Sequence, residues 1–188
     1  MTTELGTIPR AARNIELKAR LSSLDEARKI AERVATERRG TMRQVDTYFH
    51  CTSGRLKLRE IDGAAMAELI WYARDDRAEA RGSDYRIAPI PQPRALVEAL
   101  KSAVGIRLVV DKRRELFLHH NVRIHLDEVA GLGMFLEFEA VLGPTVDDRR
   151  GAEQVAWLRE QFGLSDEQIV SCSYSDLLEA AGDRITNT

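Results

Sequence analysis

The chain has 188 residues, of which 28 are Lys or Arg and 30 are Asp or Glu, so its formal net charge is −2. This near balance by itself indicates neither nucleic acid nor an anionic membrane surface as a partner. No stretch approaches the roughly 20 apolar residues that a membrane-spanning helix requires. The length suits one domain with a substantial core, and we expect a single domain over residues 1–188 with its core at about residues 12–180.

The amino-terminal segment and the cysteines indicate the compartment. MTTELGTIPRAAR, residues 1–13, has no apolar segment behind a basic one, so we expect no secretion signal. Cys51 and Cys172 lie far apart and lack the spacing of zinc or redox motifs. Two reduced thiols are the simplest interpretation, and together these features predict a cytoplasmic protein.

The first half of the chain predicts one helix among five strands. ARNIELKAR, residues 12–20, alternates polar and apolar residues, which is typical of a strand with two different faces. Ser23 and Glu26 then form a capping box, apolar residues recur at helical spacing, and Gly40 is placed to end the helix. Residues 42–90 contain short alternating runs separated by turn-forming residues, which predict four strands.

The second half predicts three more strands between helices. PRALVEALKSAVG begins with Pro93 and ends with Gly105, as expected of a helix. Strands are predicted in IRLVVDKRRELFLH, NVRIHLDEV and MFLEFEAVL, and helices follow, with a second capping box at Ser165 and Gln168. The total of eight strands with outer helices predicts an α+β fold.

Several predicted strands carry charged residues on one face and apolar residues on the other. These charged residues are Arg55, Lys57, Arg59, Lys112, Arg114, Arg123, His125, Asp127, Glu137 and Glu139. One interpretation is the solvated outer face of an antiparallel sheet. The other is the interior of a closed barrel, because eight strands suffice to close one and the helices would cover its apolar outside.

A lumen lined by both signs of charge suits a polyphosphate accompanied by divalent metal. Arg and Lys orient phosphate oxygens, and carboxylates among them repel phosphate unless Mg²⁺ or Mn²⁺ bridges the two. No glycine-rich phosphate loop occurs in the sequence. Binding would therefore depend on side chains.

The segments IELKAR, DTYFHCTSGRLKLRE, VRIHLDEVAGLGMFLEFEA and SYSDLL resemble the CYTH superfamily, the triphosphate tunnel metalloenzymes. The resemblance extends from about Asn14 to Leu178 and is greatest to the class IV adenylyl cyclase branch. It implies an eight-stranded antiparallel β-barrel, the triphosphate tunnel, with helices packed outside.

The resemblance also implies roles for individual residues. The triphosphate would be bound by Lys18, Lys57, Arg59, Lys112, Arg114 and Arg123. Mg²⁺ or Mn²⁺ would be held by Glu16, Glu137 and Glu139, with Asp127 as a further acidic contact. The expected catalytic group is Glu16, Lys18, Glu137 and Glu139. His125 is expected to orient its neighbours rather than to bind metal.

One position departs from the family pattern. Asn14 occupies the place of the first Glu in the Glu-x-Glu-x-Lys motif, whose remaining members are Glu16 and Lys18. An amide oxygen can contact a divalent ion but contributes no negative charge. The substitution therefore predicts weaker metal binding or lost turnover.

Three functions stay open on these residues. The first is conversion of ATP to cyclic AMP and pyrophosphate, and the second is hydrolysis of tripolyphosphate, thiamine triphosphate or a nucleoside triphosphate. The third, motivated by Asn14, is non-catalytic binding of a nucleotide or polyphosphate. In each case the partner is a triphosphate compound rather than nucleic acid or membrane, and the resemblance is compatible with a homodimer.

Overall fold

The structure, a computed structural model, describes residues 12–74 and 81–186, with side-chain surroundings for 13–73 and 85–182. The elements in chain order are β1 (Ala12–Arg20), α1 (Leu24–Val34), β2 (Glu37–Phe49), β3 (Arg55–Ile61), β4 (Ala67–Arg74), β5 (Arg81–Ile90), α2 (Pro93–Val104), β6 (Ile106–His119), β7 (Val122–Val129), β8 (Gly133–Val141), α3 (Asp148–Gln161) and α4 (Tyr174–Thr186). A 3₁₀ turn at Asp166–Gln168 lies between α3 and α4.

The eight strands form a closed antiparallel barrel. Their order around the barrel is β1-β5-β4-β3-β2-β6-β7-β8, and β1 closes the ring by pairing with both β5 and β8. Strands β2 to β5 and β6 to β8 follow one another as hairpins, and β2 pairs with β6 along most of its length. This architecture confirms the predicted eight-stranded barrel with outer helices.

The apolar face of the barrel packs against the helices outside it. Ile15 and Leu17 of β1 and Phe138 of β8 belong to the largest buried cluster, which α1 and α3 cover. A Cβ at Gly151 of α3 would lie 2.8 Å from Leu142 Cδ2 and 3.1 Å from Ile15 Cγ1, so this glycine lets the helix approach the barrel closely. Since neighbouring residues of a strand face opposite sides, the alternate charged residues face the lumen.

The prediction that Gly40 ends the first helix is wrong. α1 ends at Val34, and the Thr36 N–H then donates to Leu118 O at 2.7 Å as β2 begins its pairing with β6. The register of β2 against β6 shifts between Arg38 and Gly40, where Gly40 has φ +93°. The glycine therefore serves a strand irregularity, because positive φ suits a bulge as well as a helix end.

Other local signals are confirmed. The Ser23 hydroxyl accepts from the Glu26 N–H at the start of α1, and the box at Ser165 and Gln168 starts the 3₁₀ turn. Gly105, with φ +80°, ends α2. No helix in the part of the chain that the structure describes combines the length and apolar character needed to cross a membrane.

Candidate functional site

The barrel lumen contains a cavity lined mainly by charged side chains. It encloses about 700 Å³ of space that is partly open to solvent. Its charged lining consists of Glu16, Lys18, Asp46, Lys57, Arg59, Lys112, Arg114, Arg123, Glu137 and Glu139. Nine of these ten are residues that the sequence proposed for the site; their position in the lumen is observed, while their roles stay predictions.

Strand register explains how residues distant in sequence meet on adjacent strands of the lumen wall. Pairing of β1 with β8 sets Glu16 opposite Glu139 and Lys18 opposite Glu137. Pairing of β7 with β8 sets Arg123 opposite Glu139 and His125 opposite Glu137. Glu137 and Glu139 of β8 therefore lie between charged residues of β1 on one side and of β7 on the other.

Glu137 lies at the centre of this group. Its carboxylate lies 3.1 Å from Lys18 Nζ and accepts a hydrogen bond of 2.9 Å from Arg114 Nη2. Burial by itself would raise the pKa of Glu137, but Lys18, the neighbouring His125 imidazole and Arg114 together hold it well below its usual range. The Glu137 carboxylate is therefore in contact with two cations in this structure.

Asp46 of β2 forms a second charged group with two residues of β3. Its oxygens accept from Lys57 Nζ at 2.7 Å and from Arg59 Nε at 2.9 Å, and Gln44 Nε2 lies 3.2 Å away. Burial opposes ionisation, yet the charges of Arg59 and Lys57 outweigh it and hold the pKa of Asp46 far below its usual range. The sequence reasoning missed Asp46, although its alternation with Gln44 and Tyr48 placed it on the lumen face.

Asp127 of β7 forms a third group. It accepts from Arg114 at 2.7 and 2.6 Å, from Lys112 Nζ at 3.2 Å and from the Tyr174 hydroxyl at 2.9 Å. Burial lowers the pKa of Lys112 to about 8, and the nearby charge of Arg114 contributes. Both oxygens of Asp127 are thus occupied by donors. The metal contact proposed for Asp127 stays a prediction, and a metal there would have to displace one of them.

A group of possible metal ligands lies beside Glu137. Among the residues described, His125, Glu137 and Glu139 each offer a ligand atom, and these atoms all lie within 4.8 Å of one another. Glu16, on the neighbouring strand, is half-buried and faces the same cavity. Carboxylate oxygens and imidazole nitrogens are common ligands of divalent ions. The donor set therefore fits the divalent metal that the sequence implies.

Asn14 lies in the lining, two residues before Glu16 and on the same face of β1. Only 4% of its surface is exposed, and the Tyr85 hydroxyl donates to its Oδ1 over 3.4 Å. The position is thus part of the site, and the amide oxygen points to a tyrosine of β5.

One side of the cavity is apolar and aromatic. Ile70 and Tyr72 of β4 and Tyr85 and Ile87 of β5 line it, together with Tyr48 of β2. We name these five residues the tyrosine wall. The sequence reasoning did not identify it, although the alternating pattern of both strands placed these side chains on the lumen face.

Helix α4 begins against the cavity. Ser173 and Tyr174 line it, and the Tyr174 ring centroid lies 4.0 Å from Lys18 Nζ. Asp176 fixes this helix by accepting from Arg55 at 2.8 Å and Arg107 at 3.2 Å. The segment SYSDLL thus brings an aromatic hydroxyl to the charged lumen.

Comparison with known proteins supports this description of the fold. PH1012 protein from Pyrococcus horikoshii OT3 is 25% identical, with a TM-score of 0.77 over 87% of this chain and 98% of that chain. A protein of Vibrio parahaemolyticus, named as an adenylate cyclase candidate, is 21% identical, with a TM-score of 0.73 over 88% and 97%.

A third similar structure is an adenylyl cyclase candidate of Hippeastrum, whose description names a dominant triphosphatase activity. It is 16% identical, with a TM-score of 0.62 over 89% of this chain and 95% of that chain. Comparison with curated proteins gives no match. The model of the CYTH domain family matches residues 12–174. Since this match spans all eight strands and the start of α4, the chain belongs to the CYTH domain family.

Proposed function

We propose that this protein is a divalent-metal-dependent enzyme that converts ATP to cyclic AMP and pyrophosphate, as class IV adenylyl cyclases do. The observation that carries the proposal is the set of six Lys and Arg side chains that face one cavity beside a carboxylate group. Membership of the CYTH domain family supports a triphosphate as the ligand.

The charge balance of the lumen supports the need for metal. The six cations that line it are Lys18, Lys57, Arg59, Lys112, Arg114 and Arg123, and four carboxylates line it with them, Glu16, Asp46, Glu137 and Glu139. A fifth carboxylate, Asp127, does not line the cavity but pairs with Lys112 and Arg114. With His125 counted as neutral, the six cations and five carboxylates sum to one net positive charge, which is too little to balance a triphosphate. A divalent ion at Glu16, Glu137 and Glu139 would supply further positive charge to the phosphate oxygens.

The proposed reaction is an internal displacement at the α-phosphorus. The ribose 3′-oxygen forms a bond to the α-phosphorus while the bond from that phosphorus to the bridging oxygen breaks, and pyrophosphate leaves. The 3′-hydroxyl proton passes to a base or to water. Lys and Arg side chains that now bind Asp46, Asp127 and Glu137 would hold the departing pyrophosphate, since its negative charge grows as the bond breaks.

The tyrosine wall favours an organic triphosphate over inorganic tripolyphosphate. Its rings and aliphatic side chains line the same cavity as the cations. A planar base or a sugar could bury apolar surface there, whereas tripolyphosphate has no group that would use it. Tyr48 and Tyr72 also offer hydroxyl groups, which lie 3.3 Å apart.

Hydrolysis is the second candidate, because the same cations would serve it. In that reaction water attacks the terminal phosphoryl group, and orthophosphate is released. The Hippeastrum structure supports this alternative, since its description combines a cyclase name with a dominant triphosphatase activity. Non-catalytic binding is the third candidate, and the uncharged Asn14 motivates it.

One experiment distinguishes the three. The protein is incubated separately with ATP, tripolyphosphate and thiamine triphosphate, each with Mg²⁺ or Mn²⁺, and cyclic AMP, pyrophosphate and orthophosphate are measured. Cyclic AMP with equal pyrophosphate supports the cyclase, and orthophosphate without cyclic AMP supports the hydrolase. Tight binding without any product contradicts both enzymatic proposals.

A matched pair of variants ties the result to the lumen. Lys57→Met removes a cation of the lining, whereas Lys101→Met removes an exposed cation of α2. We expect Lys57→Met to lower kcat/KM by about 10- to 100-fold, because a hydrogen bond to a charged group contributes about 1.5–3 kcal/mol. Lys101→Met should leave it unchanged.

A further inference from the structure

A buried nitrogen in the site has no hydrogen-bond partner. His125 is 2% exposed. Among the buried side-chain nitrogen and oxygen atoms of the described residues, its Nδ1 is the one that has no hydrogen-bond partner. Leaving such an atom without a partner costs about 1–3 kcal/mol. Buried polar atoms are nearly always satisfied, so this exception indicates a partner that binds there.

The unpartnered nitrogen faces two carboxylates. Nδ1 lies 3.7 Å from Glu137 Oε2 and 3.8 Å from Glu139 Oε1. Both distances exceed that of a hydrogen bond. Around an octahedral ion with bonds of about 2.1 Å, neighbouring ligands are about 3.0 Å apart and opposite ligands about 4.2 Å. The two spacings from Nδ1 lie between these values, and the ligand atoms of all three residues lie within 4.8 Å of one another, so side-chain rotations would let the three residues contact one ion.

We propose that His125 is a direct ligand of the divalent ion, through Nδ1 and together with Glu137 and Glu139. This inference deepens the proposed function, because it rests on the metal that the function requires. It replaces the expectation that His125 only orients its neighbours. A nitrogen ligand also implies selectivity, since imidazole binds first-row transition ions better than it binds Mg²⁺. The site should therefore prefer Mn²⁺ or Co²⁺ over Mg²⁺.

The cations around the carboxylates add a second consequence. Lys18 and Arg114 contact Glu137, and Arg123 Nη1 lies 3.4 Å from Glu139 Oε2. These side chains compete with a metal for the same oxygens. A triphosphate would draw them onto its own oxygens, so Mn²⁺ should bind more tightly when tripolyphosphate is present than when it is absent.

The test is electron spin-echo envelope modulation of Mn²⁺ bound to protein without a histidine tag, with and without tripolyphosphate. The chain contains four histidines, so nitrogen coupling is assignable. We expect an imidazole ¹⁴N coupling that becomes a ¹⁵N coupling after labelling with ¹⁵N-histidine. His125→Asn should abolish it and weaken Mn²⁺ binding by at least the roughly 10- to 100-fold that loss of an outer-shell partner costs. It should weaken Mg²⁺ binding less.

His120→Asn is the matched control. His120 is exposed in the β6–β7 turn with φ +54°, a conformation that Asn tolerates. This variant should retain the coupling. If His125→Asn does not fold, retention of the coupling in each Asn variant of His50, His119 and His120 assigns it to His125.

Two results would overturn the inference in distinguishable ways. Mn²⁺ that binds, and is lost in Glu137→Gln, but shows no nitrogen coupling contradicts His125 as a ligand and leaves the proposed function intact. Absence of Mn²⁺ binding with and without tripolyphosphate contradicts the metal site and the metal-dependent function together.

Discussion

Individual buried carboxylates pair with the cations of the lumen. Asp46, Asp127 and Glu137 each contact at least two cations and are nearly inaccessible to solvent. A buried ion pair is not by itself a large source of stability, since desolvation offsets much of its attraction. In the proposed function, the cations of these pairs would exchange protein carboxylates for phosphate oxygens.

The Asn14→Glu variant tests the departure from the family motif. It adds a carboxylate two residues from Glu16 on the lumen face, so we expect Mn²⁺ affinity to rise about tenfold, the equivalent of one charge-assisted contact of roughly 1.4 kcal/mol. Turnover should rise with it. Isothermal titration with Mn²⁺ measures the affinity, and Asn14→Gln, which adds length without charge, is the control. Equal affinity in both variants would show that residue 14 does not contact the metal.

The Asp46→Asn variant tests how the lumen cations are held. It leaves the buried Lys57 and the partly buried Arg59 without their carboxylate, so we expect the free energy of unfolding to fall by about 3–5 kcal/mol. Tripolyphosphate should restore part of this loss, because its oxygens would contact the same cations. Urea unfolding with and without tripolyphosphate measures both effects.

Asp111→Asn is the control for Asp46→Asn. Asp111 accepts a hydrogen bond of 2.7 Å from Arg43 on the outer surface, where the two side chains are 39% and 57% exposed, respectively. An exposed pair contributes about 0–1 kcal/mol. If the two variants lose equal stability, or tripolyphosphate stabilises both equally, Asp46 does not hold ligand-binding cations.

At the scale of elements, strand pairing and α4 assemble the site. β8 contributes Glu137 and Glu139, and its position between β1 and β7 brings charged residues of both strands beside them. The last helix, α4, adds Tyr174. Asp176 links α4 to β3 through Arg55 and to β6 through Arg107. This helix is therefore attached to the barrel by ion pairs as well as by apolar contacts.

Asp176→Asn should loosen α4 without unfolding the barrel. Loss of charged hydrogen bonds worth about 1–2 kcal/mol would raise amide hydrogen exchange in residues 174–182 by about 5- to 30-fold. Exchange measured by mass spectrometry tests this. Glu153→Gln, which removes an exposed pair with Arg149 on α3, is the control. Unchanged exchange in α4 would show that Asp176 does not hold it.

The lowered pKa of Asp176 predicts that the stability of the protein depends on pH. Burial favours the neutral acid, but hydrogen bonds from the Ser173 hydroxyl and backbone and the charge of Arg55 lower the pKa of Asp176 from 3.8 to about 2. Because the folded-state pKa is depressed, this contribution is present above the unfolded value and is lost as the pH falls from about 4 to about 2. The stability difference between the native protein and Asp176→Asn should shrink over this range. A difference that stays constant would contradict the assignment.

At the scale of the whole molecule, closure of the barrel concentrates charge that an open sheet would expose to water. The outer face packs on α1, α2 and α3, while the lumen contains the cations and carboxylates. A ligand that binds the lumen contacts several strands at once and so should stabilise the entire fold.

Triphosphate binding should therefore raise the thermal stability. A ligand at 100 times its Kd adds about 2.7 kcal/mol, which for a chain of this length corresponds to roughly 5–10 °C in Tm. Differential scanning calorimetry with tripolyphosphate and Mn²⁺ measures the shift. Sodium chloride at equal ionic strength is the control, and an equal shift in both would indicate screening rather than binding.

Local sequence patterns predicted most of the helices and strands. They failed where the same residue type is compatible with both a helix end and a strand irregularity. Capping at Ser23 and the end of α2 at Gly105 were predicted correctly because they depend on neighbouring residues. Gly40 was assigned wrongly because its positive φ also suits the strand irregularity that pairing with β6 imposes. Asp46 and the tyrosine wall were missed because their significance depends on which strands are neighbours.

The sequence by itself determined which side chains share a strand face, because alternation is a local property of the extended chain. It thereby separated the charged residues from the apolar ones that α1 and α3 cover. Only the tertiary structure decided which charges meet. Lys18 contacts Glu137 and Tyr174 contacts Asp127 across long stretches of chain. Such contacts follow from barrel closure and strand register, which arise from the packing of the whole molecule.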